Sequence, residues 1–392
     1  MNKHQLKAKI EESLERQGYR ISNGFIYPPA DLDKEKLREM NALAVEHRIA
    51  TAKAGLFRHE SDLLTSFAQG KELVPEKIHP KLIQVESGSR DELLFRYACL
   101  HWSIPVSSGY GRRMRFLVLD EENNKLIGLF GLGDPVFNLG VRDKWVGWSK
   151  DARAKRLRNV MDAFVLGAVP PYSFLLGGKL ICMLLASNEV RLAYAKKYAG
   201  KLSRIRSEEH DSRLALITTT SALGRSSIYN RIKYQDRHLF HGIGFTQGYG
   251  EFHFSNGCYA AMAEYAKRYC QETERHVNWG EGFRNRRELI KKCLKKIGIS
   301  PDWLIHGIRR EAFVIPLAKN SAEFLQGEHS RLLWYDSPAE SLFNYFRERW
   351  LLPRSQRVDR YKTWDREEWR IWDRVTSKFR FNLPNRSEGT HD

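Results

Sequence analysis

The sequence predicts a mixed α/β (α+β) fold in three segments: a helical amino-terminal domain over residues 1–88, an α/β domain over 89–255, and a basic helical carboxy-terminal domain over 256–392. Three observations carry this. A hairpin is written into Arg115-Phe-Leu-Val-Leu-Asp120 and Lys125-Leu-Ile-Gly-Leu-Phe-Gly131, joined by the polar turn Glu121-Glu-Asn-Asn124. A third apolar run, Phe164-Val-Leu-Gly-Ala-Val-Pro170, has the length and composition of a strand. On either side of these runs, apolar residues recur at helical spacing.

Taken in order, Leu6, Ile10 and Leu14 mark one face of a helix over 2–17, and Gly18 follows where a left-handed helix end favours a residue without a side chain. A second helix is expected from Glu35 to Ala54, ending at Gly55, and a shorter one from Ser61 to Ala68, closed by Gly70. Pro75 and Pro80 then break the pattern. Ser89-Arg-Asp-Glu92 reads as a capping box before Leu93, Leu94, Tyr97 and Leu100. After the hairpin comes a basic insert, Arg142 to Arg158, then the third strand, a helix from Gly178 to Tyr198 and a strand from Arg213 to Thr219. Helices are expected again over Tyr259–Cys270, Phe283–Ile297, Pro301–Ile308, Ala339–Trp350 and Asp365–Phe379, before a polar tail.

A length of 392 residues with 42% hydrophobic content supports packed cores and argues against disorder. The amino terminus mixes charge into every turn, and the longest apolar run, near Leu175 to Ala186, is too short for a bilayer, so a soluble cytoplasmic protein with no membrane partner is expected. Five widely spaced cysteines without a C-x-x-C pair indicate neither a zinc site nor a disulfide framework. The net charge of +18 is uneven: residues 1–100 hold 16 basic against 15 acidic residues, leaving 49 against 32 for the remainder. A basic excess confined to the later segments is the footprint of a polyanion-binding surface.

The order of strands, turns and helices from Met114 to Tyr249 resembles the acetyltransferase-like (GNAT-like) fold, in which acetyl-CoA phosphates sit where a strand ends and a helix begins. Val169 to Leu180 stands at that point, so the resemblance implies Gly177, Gly178 and Lys179 as cofactor-binding residues and an acetyl-CoA-dependent N-acyltransferase as the alternative activity. The loop departs from the superfamily pattern. With its first glycine at Gly177, Phe174 stands where Arg or Gln belongs and Lys179 where a small residue belongs. A Gly-Gly turn packing a helix on a sheet, with no cofactor, is the other reading. Glu251, His238 and His241 are candidate bases and Cys258 a candidate nucleophile, each also compatible with a structural role. Ser221 and Ser226 suit phosphate contact or helix capping equally.

Nucleic-acid contact is expected from the basic insert, which carries seven basic and two acidic residues between Arg142 and Arg158. Its Lys144, Lys150, Arg153, Arg156 and Arg158, together with Arg112 and Arg113 before the hairpin and Arg225 and Arg231 in the late loop, are the candidate phosphate-neutralising residues. Asp143 reads as a structural partner for an arginine. Trp145 and Trp148 suit either base stacking or core packing. A second basic run, from Arg284 to Lys296, is a candidate surface for nucleic acid or for an acidic protein partner.

The hairpin, Arg142-Asp-Lys-Trp-Val-Gly-Trp-Ser149, Pro170-Pro-Tyr172, Gly178-Lys-Leu180 and Leu185-Ala-Ser187 together resemble the DruA family of the Druantia anti-phage defence systems, over roughly residues 90–255. The Arg142 to Trp148 block is the most specific part. The resemblance implies a bacterial defence role beside other subunits, a large ATP-dependent helicase among them. Related domains in transposase-like proteins favour DNA over RNA as the polymer. The likeness defines no catalytic residue.

Overall fold

Seven strands form one mixed sheet with helices on both faces. The computed structural model describes residues 1–106, 111–202, 211–273, 282–283 and 285–372. Helix α1 (Lys3–Arg16) starts at Asn2, whose side chain accepts from the Gln5 amide, and it is followed by a small hairpin, β1 (Arg20–Ser22) and β2 (Phe25–Tyr27). Helices α2 (Lys34–Leu56) and α3 (Glu60–Leu64), strand β3 (Pro80–Gln84) and helix α4 (Arg90–Ala98) complete the first quarter. The central elements are β4 (Arg113–Asp120), β5 (Lys125–Gly133), α5 (Gly140–Val146), α6 (Lys150–Arg156), β6 (Val160–Ala168), α7 (Gly177–Leu184), α8 (Asn188–Tyr198) and β7 (Leu216–Thr220). Then come the short strands β8 (Lys233–Tyr234) and β9 (Arg237–His238), β10 (His241–Phe245), α9 (Cys258–Tyr269), α10 (Arg286–Ile297), β11 (Glu311–Pro316), α11 (Ser321–Gln326), α12 (Ala339–Phe346) and α13 (Leu352–Ser355).

The strand order is β10-β11-β7-β6-β5-β4-β3, antiparallel except for the β6–β7 pair, where Val160, Met161 and Asp162 lie beside Leu216, Ile217 and Thr218. Two of these strands differ from the sequence expectation. β3 falls where prolines suggested a break, but Pro80 is the first residue of an edge strand, where a missing amide costs nothing. β11 lies in the segment expected to be helical. Its short apolar run Ala312-Phe-Val-Ile315 is fully buried between β7 and β10, a pattern that periodicity alone does not separate from a helix. Strands from both sides of the expected boundaries thus enter one sheet.

The expected helix over 178–198 is two helices. The Ser187 hydroxyl accepts from the Val190 amide and starts α8 anew, the competition between side chain and backbone that makes serine a cap residue. At Ser89 the hydroxyl caps α4 as expected, while the Glu92 carboxylate accepts from the Gly88 amide (2.7 Å) and pairs with Arg115. Pro301–Leu304 and Arg366–Trp369 are short 3-10 turns, residues 370–372 are not helical, and residues 373–379 of the expected last helix lie outside the described residues.

One face of the sheet packs on α7, α8 and α12 through Phe116, Phe130, Ile181 and Phe343. The opposite face packs on α2, α4 and residues 364–372 at one end, and on α5, α6 and α11 at the other. A separate core joins α1 to α9 and α10. No helix among the described residues is long and apolar enough to cross a membrane.

Candidate functional site: a cationic cleft beside the parallel strand pair

β6 and β7 pair as backbones only as far as Asp162 and Thr218. Beyond that point side chains take over, the Thr219 hydroxyl donating to the Ala163 carbonyl at 2.9 Å. β6 also carries a bulge at Phe164, skipped in the register with β5, whose ring covers Gly131 and Gly133, where a Cβ would collide with it or crowd it. Past the bulge, Leu166, Gly167 and Ala168 border a cleft of about 280 Å³ that also takes in Trp102, Trp369 and the start of α7.

The two glycines there have different duties. A Cβ on Gly177 would lie 2.8 Å from the Tyr172 carbonyl oxygen, so this position must be small for the turn to close on the strand. Around Gly178 nothing lies within 4 Å of a Cβ, and its backbone borders the cleft. Leu176, in the left-handed conformation at φ 60°, precedes α7, and no side chain caps the helix.

Lys179 is half-buried with its ammonium 4.7 Å from the centre of the Trp350 ring. Burial holds its pKa below the ordinary lysine value, and the charges of Arg231, Arg349 and Arg354 lower it further. Arg349 also lies over Trp350 (5.4 Å), Arg354 donates to the Phe174 carbonyl (3.3 Å), and Arg360 lies 4.8 Å from the Phe174 ring. Among the described residues none of these five cations forms an ion pair with a carboxylate. Like charges gathered without counter-charge form an anion-attracting field.

The nine residues expected to neutralise phosphate are spread over several settings. Arg112 is tied to Asp134 (2.6 Å) and the Val160 carbonyl (3.1 Å), with Tyr194 and Tyr198 beside it. It bonds to the carbonyl of Arg158, so these two meet. Arg113 is partly buried, and desolvation, then Arg115, lowers its pKa. Arg153 pairs with Asp143 (3.1 Å) and Arg156 with Asp211 (3.0 Å). Lys144, Lys150, Arg225 and Arg231 are exposed. Arg225 and Arg309 both approach the Phe245 ring, while Arg231 stands in the Lys179 group. Arg349, Arg354 and Arg360 were missed as site residues. Their signal was a tryptophan-rich, arginine-rich carboxy-terminal segment, with nothing local to show that it folds against α7.

The Arg142 to Trp148 block is a structural knot. Arg142 is fully buried, bonded to Asp143 (2.7 Å) and to the carbonyls of Val136 (2.7 Å) and Phe137 (2.9 Å). Asp143 additionally accepts from Trp148 Nε1 (3.1 Å), Arg153 (3.1 Å) and the Leu139 amide (3.2 Å). Gly147, at φ 72°, ends α5 in the left-handed conformation. Trp145 and Trp148 pack on the core under α5 and α6.

The acid–base candidates lie in structural settings. Glu251 pairs with Arg287 (3.1 Å). His241 is held below the ordinary histidine value by burial, then by His238 and Arg237. Burial pushes the Cys258 thiol up, and its Sγ contacts the Lys9 carbonyl. Ser226 Oγ accepts from the Tyr229 amide (3.0 Å), and Ser221 is buried. In the second basic run Arg286 lies over Tyr259 and Lys292 bonds to the Gln271 carbonyl, while Arg284 lies outside the described residues. All five cysteines are free thiols.

Fold and site together define a mixed α/β protein with a cleft lined by Lys179 next to the one parallel strand pair among the described residues. A family model described as Druantia protein DruA matches residues 31–327. The chain is also 40% identical over 361 residues to Druantia protein DruA of Escherichia coli (strain UMEA 4076-1), covering 92% of this chain and 89% of that protein. The protein belongs to the DruA family. No solved structure matches it.

Proposed function

We propose that this protein serves in bacterial anti-phage defence as a nucleic-acid-binding or adaptor component of a Druantia system, working with other subunits that include a large helicase, and that its polymer is DNA. Family membership supports the defence role. The observation that carries polyanion contact is the set of cations without carboxylate partners among the described residues, Lys144, Lys150, Arg225 and the Lys179 group, in a chain of net charge +18. Arg112, Arg153 and Arg156 are already neutralised by Asp134, Asp143 and Asp211, which leaves the exposed lysines and Arg225 to meet phosphates from the expected set. In gel shifts, DNA affinity should fall steeply between about 50 and 200 mM salt, as counterion release requires. The triple Lys144, Lys150, Arg225→Ala variant should flatten that slope; binding that ignores both salt and these substitutions would sink the reading.

An acetyl-CoA-dependent N-acyltransferase is the second reading, and the strand order favours it. A sheet running β3-β4-β5-β6-β7-β11-β10, with one parallel pair and a bulge before the cleft, suits an acetyltransferase-like domain. The residues fit such a cofactor at one end only. Gly178 and Lys179 offer space and charge for phosphates, but the Trp102 indole lies directly against Gly167, and Trp369 lines the same cleft, so rings crowd the strand edge that an extended thiol arm would follow. Failure of millimolar CoA to raise the melting temperature would remove this reading.

A further inference from the structure

We propose that the cleft beside Lys179 seats one unpaired nucleotide of a polynucleotide strand, its base against Trp102 and its phosphate beside Lys179, in the field of Arg231, Arg349 and Arg354. The inference deepens the nucleic-acid reading above and rests on it. Three features select this ligand class. The first is size: a space of about 280 Å³ accepts a single nucleotide and excludes a duplex. Chemistry is the second. The walls combine the half-buried Trp102 indole with the aliphatic Leu166 and Leu176, surfaces on which any base can stack. Trp369 is 6% exposed, packed against His101 (4.0 Å, 10° between planes) and Phe67 (5.0 Å), and contributes only a small part of its surface to the cleft wall. Third is charge. Lys179 lines the cleft at its α7 end, Arg349 shares the Trp350 ring with it, Arg354 sits on the Phe174 carbonyl, and these cations lack carboxylate partners among the described residues, so a phosphate entering beside Lys179 meets an uncompensated positive field. An acidic peptide would satisfy the cations but leave the Trp102 ring uncovered; the aromatic and aliphatic walls therefore favour a nucleotide.

The arrangement predicts a preference for strand ends, gaps or extruded bases over intact duplex, because only an unpaired base can leave the stack to enter. Two kinds of substitution separate this from general basicity. Arg349→Gln with Arg354→Gln removes two surface charges. Gly178→Leu places a side chain into the open space at the cleft, in a helical position that tolerates it, and changes no charge.

The experiment is fluorescence anisotropy of the full chain with a 3′-labelled, 5′-phosphorylated oligo(dT) strand and with a blunt duplex of the same length, at several salt concentrations. The expected result is at least about tenfold tighter binding of the single strand. The arginine variant should reduce the slope of log affinity against log salt by about 1.4. Gly178→Leu should weaken single-strand binding with an unchanged or higher melting temperature and leave the weak duplex binding as it was. Equal affinity for both forms, or single-strand binding indifferent to Gly178→Leu in a folded variant, overturns the cleft proposal while leaving nucleic-acid binding in place. Absence of salt-dependent binding to either form overturns both. Competition with thymidine monophosphate and with CoA forms the last arm. Displacement of the strand at micromolar concentrations of either would mean that the site takes a free nucleotide, contrary to the proposal; millimolar or no competition supports it.

Discussion

Asp162 is the residue at which the sheet's two halves part. Its carboxylate accepts from Thr218 Oγ1 (2.7 Å) at the last backbone pair of β6 and β7. Burial pushes its pKa up to about 6, against the lowering effects of the Thr218 hydrogen bond and of Arg142. A carboxyl whose folded pKa lies above its unfolded value binds more protons in the folded state, so its contribution falls as pH rises from about 4 to about 6 and stays low above that. Asp162→Asn keeps an acceptor for Thr218 and removes the buried charge. It should stabilise the protein at pH 7 by about 1–2 kcal/mol, given about 1.4 kcal/mol per pKa unit and the side chain's partial exposure, with the gain vanishing near pH 4 in denaturant titrations. In the sequence this residue is a single polar letter within an apolar strand. Nothing local announces its shift, because the shift comes from what covers it.

At the scale of elements, the basic insert shows how charge in a sequence divides into structural and available parts. The seven cations between Arg142 and Arg158 fall on two short helices and the turn after them, with Asp143 on the first. The side chains of Arg142, Trp148 and Arg153 and the Leu139 amide converge on that carboxylate, anchoring α5 and the preceding loop together. Asp143→Ala leaves a fully buried guanidinium without its partner, and a loss of about 3 kcal/mol is expected, measurable as a lower denaturation midpoint; Asp143→Asn should lose less. The expectation that Asp143 is an arginine partner came from an acidic letter directly after Arg142 in a basic run. The hairpin β4–β5 was equally legible, since its apolar runs and polar turn are local, and Asn124 adopts the left-handed conformation (φ 55°) that asparagine tolerates. The single long helix expected over 178–198 failed at Ser187, where capping competes with propagation and only packing decides which wins.

Over the whole molecule, the carboxy-terminal segment behaves as a strap. The buried Glu60 carboxylate accepts from the amides of Ile371 (2.7 Å) and Trp372 (3.2 Å) and from the Tyr97 hydroxyl (2.9 Å), tying residues 311 and 312 positions later to α3. Gly70 donates to the Trp364 carbonyl (2.8 Å) and lies so close beneath the carbonyls of Tyr361 and Lys362 that a Cβ would overlap them. Gly70→Ala must therefore displace the strap, at a cost of about 2–3 kcal/mol, with altered tryptophan emission as Trp364, Trp369 and Trp372 move. Gly140→Ala, where nothing lies within 4 Å, should stay within about 0.5 kcal/mol of the parent. Because Trp369 also lines the cleft, strap displacement and weakened single-strand binding should appear together.

By itself the sequence determined what depends on near neighbours: the amphipathic helices, the capped start at Ser89, the central hairpin, the surplus of positive charge and the block that marks the family. Tertiary structure alone decided which cations remain available, since Arg112 meets Asp134 and Arg156 meets Asp211 across 22 and 55 residues. It also decided that β3 and β11 join the central sheet and that Arg349 and Arg354 stand beside Lys179. The physical reason is the same throughout. Strand order, ion pairing and desolvation are set by contacts between segments far apart in the chain, and local spacing carries no record of which segment will arrive.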